Sequence, residues 1–301
     1  MKKRTKSLAG GRIRPWVIHG VLIVFCFVCL LPLLMTISIS LTDGDSIARY
    51  GYRLIPDRIS LKAYEYVFCQ PQQVITGYRN SLYITIVGTV LNVFVTAMAA
   101  YPLSRADFRF RSAVSVYIFV TMIFSGGLVA SYILVVRYLH LKNSLMALIL
   151  LPVAAPYNIF LTRILFQDIS PSLIEAAELD GSGEFNTFIK IVMPLSMPII
   201  ATITLMIVLG YWNESFNAML YIDDAGKRPM QLILYYITSY INEVKSGMNN
   251  FGSATLEDVA DVPSDSIMYA MMIVSSAPVM FVFLFLQKYF VKGLTVGSVK
   301  G

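Results

Sequence analysis

The stretch Gln167–Pro194, QDISPSLIEAAELDGSGEFNTFIKIVMP, is a polar island between two long apolar segments, and its reading decides the fold. Apolar runs of membrane-crossing length on both sides make it a loop between spans. Locally it reads as two short helices and a turn. Ser170 is a natural N-cap, with Pro171 at the first helical position, where a missing N–H costs nothing. Ile174, Glu175, Ala176, Ala177, Glu178 and Leu179 continue as good helix formers. Gly181 then falls where a left-handed residue ends a helix. Ser182 is expected to cap a second helix, with Glu184 in its first turn facing the helix dipole. Phe185, Phe188, Ile189 and Val192 recur at helical spacing and predict one apolar face. Pro194 and Pro198 mark the entry to the next span.

Working outward, the whole chain has the composition of a polytopic membrane protein. Of its 301 residues, 56% are hydrophobic and 14% charged, and the mean hydropathy is +0.66, too apolar for an ordinary soluble domain. The net charge of +6 does not point to nucleic acid, because Lys2, Lys3, Arg4, Lys6, Arg12 and Arg14 gather ahead of the first apolar run. That is a topological signal. The first run is too long for a secretory h-region and lacks a small-x-small cleavage site, so it reads as an uncleaved span. Cys26 and Cys29 form a C-x-x-C inside that run with no second ligand pair, which makes them buried small hydrophobes rather than metal ligands.

Six segments qualify as spans, at about 17–41, 80–102, 113–137, 144–166, 196–221 and 267–290. The third is expected to break at Ser125, Gly126 and Gly127, and the fourth to kink at Pro152 and Pro156. Between the spans lie the 167–195 loop and a polar 222–266 segment, and 1–15 and 293–301 are the tails. Arg105, Arg109 and Arg111 follow the second span, and Lys292 and Lys300 lie near the C-terminus, whereas the 222–266 segment is acidic. The positive-inside rule then predicts that both termini and the 167–195 loop are cytoplasmic. Small side chains at Ala176 and Ala177, beside Glu175, Glu178 and Asp180, suit docking into a groove on a soluble partner.

The sequence contains no phosphate-binding G-x-x-x-x-G-K-[ST], no H-E-x-x-H, no G-x-S-x-G and no His/Cys cluster at metal-ligand spacing, so no catalytic or metal residue is expected. Energy for any work has to come from a partner. The informative intramembrane stretch is Tyr211, Trp212, Asn213, Glu214, Phe216 and Asn217. A carboxylate and two amides are costly in lipid and belong at a bundle interior or aqueous cavity. On one continuous helix, Trp212 with Phe216 and Asn213 with Asn217 form neighbouring stripes, able to stack on a sugar ring and bond its hydroxyls. The alternative is an interfacial aromatic belt, with Glu214 and Asn217 facing outer water.

The island's spacing resembles a known loop. Glu175, Ala176, Ala177, Gly181, Ile191, Met193 and Pro194 are similar to the EAA loop of ABC-importer permeases, which usually has leucine where this chain has Met193. Trp212-Asn213-x-x-Phe216 and the terminal FVKGLTVGSVKG resemble carbohydrate-uptake permeases akin to the smaller permease of the maltose importer, and Phe124–Leu128, FSGGL, resembles the branch handling alginate and uronate oligomers. The resemblance implies an all-α integral membrane protein, a type I ABC-importer permease with six transmembrane helices in the bacterial cytoplasmic membrane. Its implied partners are a second permease, two ATP-binding subunits that hold ATP and Mg, an extracytoplasmic solute-binding protein and an oligosaccharide. No cofactor is expected on this chain. Glu175, Ala176, Ala177, Leu179, Asp180 and Gly181 would couple to the ATPase.

Overall fold

The computed structural model describes residues 13–69, 71–250 and 265–298. The basic 1–12 tail, the acidic residues Glu257, Asp258 and Asp261, and the last three residues lie outside the described residues. Among those described, all regular elements are helical. In chain order they are α1 (Ile13–Ser40), α2 (Gly44–Tyr50), α3 (Lys62–Cys69), α4 (Pro71–Ser104), α5 (Arg111–Ile123) and α6 (Gly127–Ile133), which runs into a π turn at Leu134–Tyr138. Then follow α7 (Leu145–Leu150), α8 (Pro156–Phe166), α9 (Pro171–Leu179), α10 (Glu184–Thr187), a π turn at Phe188–Val192 and α11 (Met193–Leu195). The series ends with α12 (Met197–Trp212), α13 (Phe216–Tyr221), α14 (Met230–Asn250) and α15 (Asp265–Ser298).

Three helices are long and apolar enough to cross a bilayer alone: Val17–Ser40, Pro71–Ser104 and Asp265–Leu284. Two further pairs qualify when each is taken as one bent span. Arg111–Ile123 and Gly127–Tyr138 meet at 108°, and Glu184–Leu195 and Ile200–Trp212 at 87°. Several expected bounds shift. The second span begins at Pro71, well before residue 80, and the fourth is divided into α7 and α8 by a turn around Pro152. The fifth stops at Trp212 and restarts at Phe216. The segment expected to be a polar loop at 222–266 contains the 21-residue α14, in which Met230, Leu232, Ile233 and Ile241 are buried.

The chain forms two compact units. The first comprises residues 1–69 and 238–274. Its α1 is apolar and exposed along most of its length, Cys26 and Cys29 included, contrary to the expectation that they are buried, then knits its end into the following segment. Ser38 Oγ donates to the Arg53 carbonyl at 2.8 Å, Ser40 Oγ meets Tyr64 Oη at 2.9 Å, and Ser266 Oγ donates to the Thr42 carbonyl at 2.7 Å. Tyr52 donates to Asp265 at 2.8 Å; burial first, then this bond, pushes the Tyr52 phenol up to about 12.

The second unit, residues 70–237 and 275–301, is built around α4, which packs against α12 and α8. The buried side of α4 carries small and polar residues: Gly77, Asn80, Ser81, Gly88, Asn92 and Ala97. Small residues permit the close approach that drives helix association where lipid removes the usual hydrophobic gain. A Cβ on Gly88 would lie 2.6 Å from the Tyr211 ring. The polar residues satisfy backbone groups that broken helices release. Asn92 Nδ2 donates to the Pro152 carbonyl at 2.7 Å, so the break between α7 and α8 is capped from sixty positions away. Apolar burial concentrates at two levels. One holds Ile84, Leu148, Ile207, Tyr221 and Leu232, and the other holds Ala100, Leu103, Phe166, Phe188 and Val192.

Candidate coupling site and the break after Trp212

The helix pair of the polar island is assembled by a defined stop. In α9 Pro171 occupies the first helical position after Ser170, whose hydroxyl pairs with Ser172 Oγ at 2.8 Å rather than capping a backbone N–H. At the other end Gly181 adopts φ +79°. Its N–H donates to the Glu178 carbonyl at 3.0 Å, and the Ser182 N–H to the Ala177 carbonyl at 2.9 Å. These two bonds are the Schellman pattern, in which a left-handed residue lets the chain turn back over the last helical carbonyls. Nothing lies within 4 Å of where a Gly181 Cβ would be, so the demand for glycine is conformational and not spatial.

Two local expectations are corrected. The N-cap of α10 is Gly183, because Ser182 is already committed to the stop of α9; its Oγ accepts instead from Asn186 Nδ2 at 2.9 Å and Thr187 Oγ1 at 3.1 Å. The single apolar face also divides: Phe188 and Val192 are buried while Phe185 and Ile189 are exposed. The π turn at Phe188–Val192 is wider than an α turn and slips the 3.6-residue register that the pattern assumed. On α9, Ile174 and Ala177 face inward, whereas Glu175, Ala176, Asp180 and Gly181 are exposed. Ala176 and Ala177 therefore do not share one small-residue face. Leu179 is 89% exposed, an apolar side chain fully presented on the loop surface.

The sequence reading missed the group that holds this loop. Arg105, one residue past α4, has a side chain only 14% exposed. It donates to Asp107 through Nε at 2.9 Å and Nη2 at 2.8 Å, and to Glu178 Oε1 at 2.5 Å, with Glu184 Oε1 at 3.6 Å. Tyr101 donates to Glu184 Oε2 at 2.8 Å. The hydrogen bond to Asp107, then that to Glu178, outweighs partial burial and holds the Arg105 guanidinium above its ordinary range. The same bond holds the Asp107 carboxyl below its own. The one signal available in sequence was a basic residue after a span, which topology already explained.

At the opposite end of α12, the aromatic and polar stretch is distributed differently from expectation. Tyr211 and Trp212 are 5% and 4% exposed and turn into their own unit. The Tyr211 hydroxyl donates to the Ile149 carbonyl at 2.8 Å and the Trp212 indole to the Ser275 carbonyl at 3.1 Å. Asn213 ends α12, with Nδ2 donating to the Leu209 carbonyl at 3.0 Å. Glu214 Oε1 accepts the Asn217 N–H at 2.8 Å in the first turn of α13. The break between α12 and α13 removes the two helical stripes, so Trp212 and Phe216 do not share a face. Asn213 and Phe216 are exposed, and Glu214 and Asn217 are half-buried.

These features define an all-helical integral membrane protein with a structured polar loop and broken spans, the class of multi-pass transport permeases. The chain belongs to the family of binding-protein-dependent transport system inner membrane components, whose sequence pattern matches residues 92–296. It is 36% identical to the polygalacturonan/rhamnogalacturonan transport system permease protein YtcP of Bacillus subtilis, over 97% of this chain and 99% of that protein. It is 27% identical to the arabinooligosaccharides transport system permease protein AraQ of Halalkalibacterium halodurans, over the full length of both. The crystal structure of a bacterial ABC transporter involved in importing the acidic polysaccharide alginate contains a chain with TM-score 0.77 and 27% identity, matched over 95% of this chain and all of that one. The resemblance to carbohydrate-uptake ABC permeases is borne out, and the chain is an inner-membrane permease.

Proposed function

We propose that this permease imports oligosaccharides bearing uronate carboxylates, as one of two paired permease subunits that alternate access under the drive of two separate ATP-binding subunits. The observation that carries the reading is 36% identity, over nearly the whole of both chains, with a polygalacturonan/rhamnogalacturonan permease, supported by the fold shared with an alginate importer. All three named polysaccharides carry uronate carboxylates. A solute-binding protein outside the membrane delivers the sugar, and the ATPases hold ATP and Mg.

In this reading the chain crosses six times with both termini cytoplasmic, and the 167–195 loop is the coupling element. Glu175, Ala176, Leu179, Asp180 and Gly181 meet the ATPase, with Ala177 behind them supporting the helix. Near the break after Trp212, the exposed Asn213 and Phe216 and the half-buried Glu214 and Asn217 contribute to the sugar path, while Tyr211 and Trp212 brace it from the core. The test is uptake by the complete importer reconstituted with its binding protein, offered oligogalacturonate, alginate oligomers or uncharged malto-oligosaccharides. Preferential uptake of the acidic oligomers is expected. Uptake confined to the neutral series overturns the substrate reading.

A further inference from the structure

We infer that Arg105 is a positioning residue for energy coupling: with Tyr101, Glu178 and Glu184 it latches both helices of the 167–195 loop to the end of α4. The inference rests on the coupling reading above and adds the route by which force leaves the loop. Glu178 lies on α9 and Glu184 on α10, one on each side of the Gly181 turn, and both reach the same guanidinium. Tyr101, on α4 itself, binds the second oxygen of Glu184. The loop is therefore held at two points across its own bend to a single helix end. Asp107 takes the Nε and Nη2 bonds together and fixes the guanidinium plane.

The geometry has a mechanical consequence. The forked contact to Asp107 sets the guanidinium plane, and through Nη2 the same group holds Glu178 and Glu184, so a displacement of α9 draws on the end of α4. Helix α4 is the element on which α12 and α8 pack. A push received by the loop is delivered to the centre of the unit through Arg105 and Tyr101, and not only along the chain through α11 and α12.

The experiment uses the complete reconstituted importer and reads sugar molecules transported per ATP hydrolysed, with assembly checked by co-purification of the ATPase. Arg105→Gln is expected to assemble and hydrolyse ATP while the transport ratio falls about tenfold, within the range of measured couplings between sites. The exchange Arg105→Glu with Glu178→Arg is expected to recover a large part of the ratio. Equal loss of hydrolysis and uptake in Arg105→Gln, unrecovered by the exchange, would mean a merely structural role and overturns the latch, as does an unchanged ratio. Disulfide cross-linking of Leu179→Cys to cysteines placed on the ATPase reports docking separately. If no cross-link forms, the coupling reading fails and takes the latch with it; if it forms while the Arg105→Gln ratio is unchanged, only the latch fails.

Discussion

The two ends of the second unit are fastened by different chemistry. At the loop end, α4 is joined to the 167–195 loop by side chains bonding side chains: Arg105 to Asp107, Glu178 and Glu184, and Tyr101 to Glu184. About 36 Å away along α4, at 1.5 Å per residue, the far end is sewn through backbone. Asn80 Nδ2 donates to the carbonyls of Gly226 and Arg228, and the Met230 N–H donates to Ser81 Oγ. Asn143, itself left-handed at φ 57°, donates its N–H to the Tyr221 carbonyl, accepts the Asp224 N–H and accepts Lys227 Nζ on its own carbonyl. A cavity of about 440 Å³ lined by Met98, Pro102, Phe108, Phe185 and Phe188 adjoins Arg105. The loop-end fastening converges on one guanidinium, so a single substitution releases most of it; the far end spreads its bonds over several backbone groups and the ion pairs Lys142–Asp223 and Lys227–Asp224, so no one substitution releases them all.

The comparison is broken most severely at the far end by Trp212→Ala. Removing a buried aromatic side chain typically costs about 3–5 kcal/mol, and here it also leaves the Ser275 carbonyl without the indole. Thermal unfolding of the purified importer is expected to come at clearly lower temperature, with the ranking of oligosaccharides unchanged; a changed ranking at unchanged stability would put the indole in the sugar path. Next in size, Asn143→Ala loses a left-handed residue that asparagine tolerates and unpairs the Asp224 N–H, together about 1–3 kcal/mol. It is expected to lower stability while leaving sugar transported per ATP intact, which separates anchoring from coupling. At the loop end Gly181→Val has the opposite profile. Valine at positive φ strains the turn by about 1 kcal/mol or more, with no clash to relieve. Uptake is expected to fall sharply with little change in unfolding temperature, and normal uptake would remove the turn from the mechanism. The smallest effect is that of salt: near 1 M, where screening acts over about 3 Å, the transport ratio is expected to decline modestly while unfolding temperature holds.

Legibility followed the range of the interaction. The Pro171 start and left-handed Gly181 of α9 were readable because each depends on the residue's own backbone preference. The second helix of the loop was misread at Ser182, where two neighbouring motifs compete for one residue, and at Phe185 and Ile189, where a π turn shifts the register. Helix α14 is not announced by composition, because Gln231, Thr238, Ser239, Asn242, Glu243 and Lys245 make its segment polar overall. The break after Trp212 was missed because helical periodicity was extended past Asn213, although Glu214 is placed to bond the Asn217 N–H and restart the helix. Arg105 and Asn92 act on partners dozens of positions away, and no local pattern announces them.

Leu179 has a consequence for biogenesis. A leucine standing 89% in water forgoes about 1.5–3 kcal/mol of burial. Under the proposed coupling role, a newly made copy of the chain displays this side chain until an ATPase covers it. On that reading, copies made in excess of the ATPase keep Leu179 bare, and their lifetime is expected to rise when the ATPase is co-expressed, as pulse-chase of the chain would show.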